Sequence, residues 1–460
     1  ASQRTHHNMK TIFITISDGE VSKSILQSDI FSLLKEQAHV VLFVSKNTFA
    51  YFSEKYASER ISVEILPPYR IPWLEEVFAD LFLYSLHTNS ILVKIRYSFA
   101  SGGSRLGKYI KLLLWTLGRF RIYRAICRLT YRILPDRSYD IFFERYHPDI
   151  VFAANLTSNE DARLLKAAGK RGIRSVGMPK GWDNLTLKTF LPVFPSILLV
   201  QTGEMQSDAQ FLGYPANRIK VVGFPKFDIY ADKGLLVSRA EFMKKLDFVP
   251  ERKLILYAGA GGQLAPYDED ILSDLLAAIA GGQIVGAPQV LVRPHPKYAY
   301  RAEAIPRYPF WFLDRPGKIV SGRESDFEFD REDVVHLMNS LYHCDLLIHT
   351  ASTLGVEASI FDKPSITLAY DGHSLVTAEL STARYYDYVH LRRVLATSST
   401  KVAHSFEELT RYTNEYLASP SLDHAGREKM VMQNSYHIDG KAGRRVAEEV
   451  LRLLNAVGNP

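Results

Sequence analysis

The chain has 460 residues, more than the roughly 250–300 at which a single hydrophobic core stops growing, so we expect two domains of similar size. Hydrophobic residues make up 47% and charged residues 23%, which is ordinary for a soluble globular protein. The formal net charge is +6, and two cysteines, Cys127 and Cys344, are too few for a disulfide framework or a zinc site.

No uninterrupted run reaches the roughly 18 apolar residues of a membrane-spanning helix, and no signal peptide is visible. Together with the low cysteine content, this predicts a cytoplasmic protein. The first eight residues resemble a cloning-vector remnant more than part of a fold, so we expect the natural start at Met9.

The chain opens with the strand and helix pattern of a nucleotide-binding fold. Its predicted elements are a strand, a helix and two further strands, at 11–17, 22–34, 39–45 and 61–66. Asp18, Gly19 and Glu20 follow the first strand, and the glycine permits a tight turn there. Both carboxylates therefore lie at the carboxyl edge of the predicted sheet, although Asp18 is equally suited to cap the helix.

Residues 94–137 form a basic, aromatic-rich amphipathic segment with no acid before Asp136. Its cations are Lys94, Arg96, Arg105, Lys108, Lys111, Arg119, Arg121, Arg124, Arg128, Arg132 and Arg137. Such a segment is typical of an interfacial membrane helix, where each cation near an anionic surface contributes about 1 kcal/mol. The alternative is a helical hairpin that covers the sheet and keeps its arginines in solvent. We predict no nucleic-acid partner, because the rest of the chain carries no basic surface motif.

A second polar cluster follows the predicted strand at 174–177. Lys180, Trp182, Asp183 and Asn184 provide an ammonium group, a stacking ring, a carboxylate and an amide, which are the materials of a sugar site. The alternative is a turn capped by Asp183 or Asn184. Further strands at 196–200 and 219–222 precede a domain boundary that we expect near 232–238.

The second half begins with a strand at 253–258 and a glycine run in which Gly261 and Gly262 could let the backbone approach a phosphate. A strand at 288–293 ends in Arg293, Pro294, His295, Pro296 and Lys297. Farther on, residues 345–349 and 365–368 are predicted strands joined by a turn and a helix at 354–361, so both strands run parallel.

The predicted turn holds Thr350, Ser352 and Thr353, and its carboxyl-edge position places these residues beside His295. Hydroxyls and free N–H groups at a helix start suit a phosphate, and His295 between Arg293 and Lys297 can stabilise a leaving group. Glu357, one turn farther on, is placed to accept a hydrogen bond from a ribose or sugar hydroxyl. Asp371 and His373 leave the next strand, where the donor sugar could reach them. Each motif alone also fits a simple helix cap or a polar turn.

An RPHP element followed, after a helix, by D-L-x-I-x-x-x-S-T-x-x-x-E-A-x-x-x-x-K-P is similar to the nucleotide-binding half of the GT-B glycosyltransferases. Within that superfamily it most resembles the bacterial capsule and teichoic acid enzymes, namely the polysialyltransferase-like, Kdo transferase-like and CDP-glycerol glycerophosphotransferase-like proteins. The resemblance implies His295, Ser352 and Thr353 on the phosphate of a cytidine-activated donor, and Glu357 on ribose or sugar. Relatives often have Ser-Ser where this chain has Ser-Thr, and both hydroxyls are kept.

The resemblance also implies an α/β GT-B fold, with two Rossmann-like domains across a cleft and C-terminal helices that return to the first domain. We expect an acceptor domain at 9–234, a nucleotide-sugar domain at 235–430 and the returning helices at 431–460. A carboxylate of the first domain, Asp18 or Glu20 before Asp183, should deprotonate the acceptor hydroxyl.

We therefore predict a glycosyltransferase of bacterial surface glycan assembly, such as capsule, O-antigen or lipopolysaccharide. Its donor is a nucleotide-activated sugar, of CMP or CDP type before UDP, and its acceptor a glycan or lipid-linked glycan at the inner face of the cytoplasmic membrane. We predict neither a cofactor nor an essential metal ion. The alternatives are a CDP-glycerol-type glycerophosphotransferase, a hydrolysing UDP-sugar 2-epimerase and a noncatalytic glycan-binding protein.

Overall fold

The structure is a computed structural model that describes residues 9–69, 71–262, 264–295, 305–321 and 326–456. Two parallel sheets dominate it, one in each half of the chain. Helices cover both sheets, and the inner strands are almost wholly buried, as the continuous apolar runs of the sequence predict for parallel strands, whereas the edge strands are partly exposed.

The first sheet has seven parallel strands in the order β3-β2-β1-β4-β5-β6-β7. The strands are β1 Thr11–Ile16, β2 His39–Val44, β3 Ile61–Ile65, β4 Ile150–Ala153, β5 Arg174–Gly177, β6 Ile197–Val200 and β7 Ile219–Val221. The strand order reverses between β1 and β4, so the loops that follow these strands diverge and leave a crevice at the carboxyl edge.

The first-half helices are α1 Gly19–Leu26, α2 Asp29–Gln37, α3 Phe49–Tyr56, α4 Pro72–Tyr84, α5 Asn89–Ala100, α6 Arg105–Leu117, α7 Arg121–Ile133, α8 Asp140–Tyr146, α9 Asn159–Lys170, α10 Asn184–Leu187 and α11 Gly203–Phe211. The single helix predicted at 22–34 is wrong in its bounds, because Ser28 interrupts it. The Ser28 hydroxyl accepts a hydrogen bond from the Ile30 N–H and so begins a second helix.

The second sheet has six parallel strands in the order β10-β9-β8-β13-β14-β15, and a short antiparallel pair, β11-β12, lies outside it. The strands are β8 Leu254–Ala258, β9 Gln289–Val292, β10 Trp311–Leu313, β11 Lys318–Ile319, β12 Phe327–Glu328, β13 Leu346–His349, β14 Ser365–Leu368 and β15 Thr400–Ala403. The predicted βαβ unit around the hydroxyl-rich turn is confirmed, since β13 and β14 pair in parallel.

The remaining helices are α12 Arg239–Lys245, α13 Asp268–Ala280, α14 Arg331–His343, α15 Leu354–Ile360, α16 Val389–Leu395, α17 Phe406–Ala418, α18 His424–Asn434 and α19 Ala442–Asn455. Helix α19 packs on α2, and its buried face, which includes Val446 and Val450, joins the core of the first sheet. The predicted domain limits at 234 and 430 fall in a short 3-10 turn and inside α18, and they stay predictions.

The β11-β12 pair touches the first domain at α1. A side chain at Gly19 would bring its Cβ to 2.3 Å from the Phe327 carbonyl oxygen, which no real Cβ tolerates. Gly19 is therefore required for the close approach of the second domain, a reason that differs from the tight turn predicted from the sequence.

Candidate active site in the interdomain cleft

A cleft of about 400 Å³ lies between the two sheets. The loops after β1 and β5 line it from the first domain, and those after β8, β9 and β13 from the second. Its lining side chains that carry charge, a hydroxyl or an imidazole are Glu20, Lys23, Lys180, Asp183, Lys226, Arg293, His295, Asp333, Thr350, Ser352, Thr353 and Glu357. The cleft thus combines cations, hydroxyls and carboxylates drawn from segments far apart in the sequence.

The hydroxyl-rich turn after β13 lies in the cleft wall, as predicted. Ala351 adopts a φ of +47°, a left-handed conformation that costs a non-glycine residue energy and turns the chain sharply before α15. The Ser352 hydroxyl accepts from the Leu354 N–H at 3.2 Å, so it caps the first turn of the helix. The cap and the phosphate role are compatible, since a serine hydroxyl can accept one hydrogen bond and donate another.

His349 supports this turn from behind. Its Nδ1 accepts a hydrogen bond of 3.2 Å from the Ser352 N–H, which requires the neutral ring with its proton on Nε2. Burial lowers the pKa of His349 to about 4, consistent with a neutral ring. A Cβ at Gly355 would come within 2.8 Å of Nε2, so only glycine at that position leaves room for the imidazole. No pattern in the sequence indicated that His349 positions the turn.

The Glu357 side chain is 4% exposed, and two hydroxyl groups lie beside its carboxylate. The buried Tyr230 hydroxyl donates to its Oε2, and the Thr353 hydroxyl lies 3.5 Å from its Oε1. Burial, with the neighbouring Glu357 carboxylate, raises the pKa of Tyr230 well above its usual value, so the phenol stays a donor. Tyr230 thereby orients Glu357, and the predicted contact of Glu357 with ribose or sugar stays a prediction.

The segment that follows β9 also reaches the cleft, at Arg293, Pro294 and His295. Arg293 is buried and forms an ion pair with Asp314, to which His336 is also close at 3.4 Å. His295 lies in the cleft wall, and Lys297 falls outside the described residues. The guanidinium of Arg293 is therefore already partnered by the Asp314 carboxylate.

Asp18 serves as the N-cap of α1. Its Oδ1 accepts from the N–H groups of Glu20 and Val21, both at 3.1 Å, and its Oδ2 lies 2.7 Å from Lys180 Nζ. Both carboxylate oxygens are thus occupied, and Asp18 is not among the residues that line the cleft. The capping alternative for Asp18 is confirmed, and the salt bridge joins two predicted site segments, those after β1 and β5.

Glu20 lies in the cleft wall among ammonium groups. Burial alone would raise the pKa of Glu20, but Lys23, Lys226 and Lys180 outweigh burial and the Asp18 carboxylate, so the pKa lies below its usual value. Burial lowers the pKa of Lys23, against the attraction of Glu20 and Glu357. These charges make Glu20 the counter-ion of a lysine cluster.

Lys23 and Lys226 are cleft residues that the sequence predictions did not include. Lys23 lies on α1, 8% exposed, on a helix whose amphipathic pattern suggested only packing. Lys226 stands between Pro225 and Phe227, in the segment that follows β7. The available signal was its position between two apolar residues, because an ammonium group in apolar surroundings needs an anionic partner.

The predicted sugar cluster after β5 also faces the cleft. Lys180, Trp182, Asp183 and Asn184 all line it, and the Asn184 amide donates to Asp183 Oδ1 at 3.0 Å. Asn184 Oδ1 accepts from the Gly181 N–H at 3.0 Å, which fixes the loop. Asp183 makes no side-chain cap of α10, so its carboxylate is oriented by Asn184 rather than used in a helix cap.

Four other predicted site residues lie elsewhere. Gly261 and Gly262 follow the cleft residues Gly259 and Ala260 but are not part of its lining. Asp371 is buried and accepts hydrogen bonds from Ser381 and Thr382, so it organises its own loop. His373 is largely exposed and lies 2.8 Å from Asp274. The structure does not bring these four residues to the lysines and hydroxyls of the cleft.

Two buried histidines beside the cleft predict a loss of stability in acid. Burial lowers the pKa of His390, which packs on Trp182, to about 4, as it does for His349. Above about pH 6.5 both rings are neutral in the folded and unfolded chains. As the pH falls from about 6.5 to about 4, only the unfolded chain takes up these protons. Each histidine should therefore lower the free energy of unfolding by up to about 3 kcal/mol.

The variant His390→Phe keeps an aromatic ring against Trp182 and removes one of the two titrations. Urea unfolding at about pH 7 and about pH 5 should show a smaller pH-dependent loss in this variant than in the wild type. The matched control is His404→Phe, at an exposed position, which should follow the wild type. If the wild type and both variants lost the same unfolding free energy between the two pH values, His390 would not be a group whose protonation destabilises the fold.

No protein-family model and no curated protein sequence matches this chain. Solved structures match it over almost its full length. They include an S. aureus MnaA structure with UDP, at 13% identity and a TM-score of 0.54, with 98% of each chain covered. A UDP-GlcNAc 2-epimerase from Neisseria meningitidis, bound to UDP-GlcNAc, has 11% identity and a TM-score of 0.53, covering 96% of this chain and 100% of its own.

A UDP-GlcNAc 2-epimerase from Methanocaldococcus jannaschii matches in the same way, at 12% identity and a TM-score of 0.52, with 96% of this chain and 99% of that chain covered. At such identities the likeness establishes the fold alone. The two parallel-sheet domains have the GT-B fold, so the predicted fold class is confirmed. Among the described residues, no helix is long and apolar enough to cross a membrane.

Proposed function

We propose that this protein is a glycosyltransferase that moves a sugar from a pyrimidine-nucleotide donor to a hydroxyl group of a bacterial surface glycan. The observation that carries the proposal is the interdomain cleft, where cations, hydroxyls and carboxylates from both domains meet. Its volume of about 400 Å³ falls within the range of about 300–1,000 Å³ typical of small-molecule sites.

The charge of the cleft suits the phosphates of an activated sugar. Lys23 and Lys226 line the cleft from the first domain, and His295, Ser352 and Thr353 line it from the second. Hydrogen bonds from charged donors to phosphate oxygens are about twice as strong as neutral ones. This arrangement supports a role in which both domains hold the phosphate and so close around the donor.

In the proposed reaction, an acceptor hydroxyl attacks the anomeric carbon, and the bond between that carbon and the phosphate oxygen breaks. Asp183 accepts the hydroxyl proton, because it lines the cleft and does not serve as a helix cap. Asp18 is less suited, since the Lys180 ammonium and the α1 N-terminus hold its oxygens. His295 and the lysines stabilise the negative charge left on the nucleotide.

A hydrolysing UDP-sugar 2-epimerase is the second candidate. The solved neighbours from Neisseria meningitidis and Methanocaldococcus jannaschii are named UDP-GlcNAc 2-epimerases, and each matches over almost its full length. The donor base is equally open to test, because the RPHP resemblance favours cytidine, whereas structures of those neighbours contain UDP-GlcNAc or UDP. We place cytidine first and uridine second. An epimerase releases an inverted sugar without any acceptor, and a transferase requires one.

The first expected result is thermal stabilisation by a pyrimidine nucleotide. A ligand at about a hundred times its dissociation constant stabilises the folded chain by about 2.7 kcal/mol, which raises the melting temperature by a few degrees. We therefore expect a shift with CMP, CDP or UDP and none with GDP in a thermal shift panel. No shift with any of the four nucleotides would refute the proposed function.

A pair of lysine variants locates the binding. Lys226→Met removes a cleft cation and keeps the aliphatic stem, so nucleotide affinity should fall about tenfold or more. The control is Lys220→Met, at an exposed position on β7, which should leave affinity unchanged.

Once the nucleotide is known, its sugar conjugates are incubated with and without a glycan acceptor. Free epimerised sugar in the absence of acceptor would favour the second candidate.

A further inference from the structure

Helix α7 has an unusual orientation on the first domain. Four aliphatic side chains at helical spacing point into solvent, with exposures of 78% for Ile122, 57% for Ile126, 60% for Leu129 and 69% for Ile133. Their spacing of four, three and four residues places them on one face. An aliphatic stripe of this kind normally faces a protein core, so its exposure calls for a partner.

The arginine face of α7 explains why the stripe must point outward. Arg124 donates to the carbonyl groups of Gly118 and Phe211, and Arg128 donates to those of Phe190, Leu191 and Leu212. Burial lowers the pKa of Arg128 to about 9. These five hydrogen bonds fix the rotation of the helix about its axis. The alternative of a hairpin with solvated arginines is therefore wrong for Arg124 and Arg128.

Helix α6 repeats the pattern. It buries none of its residues, and Leu106, Tyr109, Ile110 and Leu113, spaced by three, one and three positions, are 70%, 67%, 49% and 58% exposed. A link of three residues, 118–120, joins α6 to α7, and it contains the half-exposed Phe120. The apolar surface therefore extends over two consecutive helices of thirteen residues each.

Positive charge surrounds this surface. The segment 105–133 has eight cations and no acid. A groove runs along α7, and Arg121, Arg132 and Lys170 are its exposed cations, whereas Lys166 and Arg128 lie deeper in its wall. None of the described residues that line this groove is acidic. Such a groove suits the phosphates of anionic lipid headgroups beside an apolar stripe that enters the acyl region.

We propose that α6 and α7 dock this protein on an anionic lipid bilayer, with the aliphatic stripe of α7 in the headgroup and acyl boundary and the cationic groove on the lipid phosphates. A second copy of the chain fits poorly, because a symmetric contact would bring the same cations face to face. An anionic lipid surface offers acyl chains to the aliphatic stripe and phosphates to the cations that surround it.

The test is co-sedimentation of the full chain with vesicles of phosphatidylcholine, with and without phosphatidylglycerol. The protein should sediment with the anionic vesicles, and added salt should release it. The double variant Ile126→Ser with Leu129→Ser should lower the partition coefficient about tenfold, because two aliphatic side chains no longer enter the lipid. Arg121→Gln with Arg132→Gln should lower it to a similar degree on anionic vesicles alone.

Matched controls carry the same changes on other surfaces. Val285→Ser with Met432→Ser alters exposed apolar residues outside α6 and α7, and Arg218→Gln with Lys244→Gln removes two exposed cations. All four proteins should keep the wild-type melting temperature, and nucleotide binding in solution should not change, which separates this proposal from the proposed function.

Three outcomes would overturn the proposal. The first is no sedimentation with anionic vesicles, and the second is equal sedimentation of the α7 variants and their controls. The third is a wild-type dimer without lipid that Ile126→Ser with Leu129→Ser abolishes in light scattering, since the stripe would then bind a second copy.

Discussion

Replacing Asp183 by Asn should lower the rate of sugar transfer by about 10²- to 10⁴-fold, the range that a general base contributes. The amide cannot take a proton from the acceptor hydroxyl, yet it keeps the size of the side chain and can still accept the hydrogen bond from Asn184. The loop should therefore keep its shape. We expect kcat to fall while nucleotide affinity, measured by calorimetry, stays within a factor of about two.

Two comparisons make this result specific. Asp18→Asn preserves the cap of α1, since asparagine caps helices as well as aspartate does, but loses the ion pair with Lys180. Its effect on transfer should be smaller than that of Asp183→Asn. Asp247→Asn, at an exposed left-handed position that asparagine tolerates, should be inert. A larger loss in the Asp18 variant would transfer the role of base to Asp18.

Replacing His295 by Ala should lower transfer by about 10²-fold or more, similar to the loss of one oxyanion donor. His295 lies in the cleft wall just after β9, in the second domain, whereas Lys23 and Lys226 line the cleft from the first domain. If the imidazole stabilises charge that develops on the leaving phosphate, kcat should fall more than nucleotide affinity does. A steady-state assay of transfer, paired with calorimetry of the nucleotide alone, separates the two quantities.

The matched control for this prediction is His404→Ala, because His404 is exposed, lies just before α17 and is not part of the cleft lining. Both variants should unfold at the wild-type temperature. Near-normal turnover in the His295 variant would remove this residue from the mechanism. A loss of nucleotide affinity equal to the loss of turnover would assign His295 to binding of the ground state instead.

The sequence predicted the parts of the site that depend on strand ends. Hydroxyl, imidazole and carboxylate residues after separate apolar runs had to meet at the carboxyl edge, because parallel strands place all such loops on one side. Ser352, Thr353, Glu357, His295 and the loop that holds Asp183 meet there. The roles assigned to them stay predictions.

The parts that the sequence missed depend on contacts between distant segments. Lys23 belongs to the cleft only because the second domain covers α1, and no helical period contains that information. The orientation of α7 depends on carbonyl groups of residues 190–191 and 211–212, which lie more than sixty positions away. Asp371 looked like a ligand residue because it follows a strand, yet the local Ser381 and Thr382 satisfy its carboxylate.

The path of α19 sets how the two halves of the molecule can move. The polypeptide leaves the first domain near 223–231 and returns to it near 435–442. The Asp228 carboxylate, in the first crossing, accepts hydrogen bonds from the N–H groups of Ala442 and Gly443, at the end of the second, at 2.9 and 2.7 Å. The Cβ of a side chain at Gly440 would lie 3.2 Å from that of Ala231, so the two crossings run side by side. A paired tether of this kind permits bending about one axis and resists twisting, which would let a bound ligand draw the domains together in a single repeatable direction.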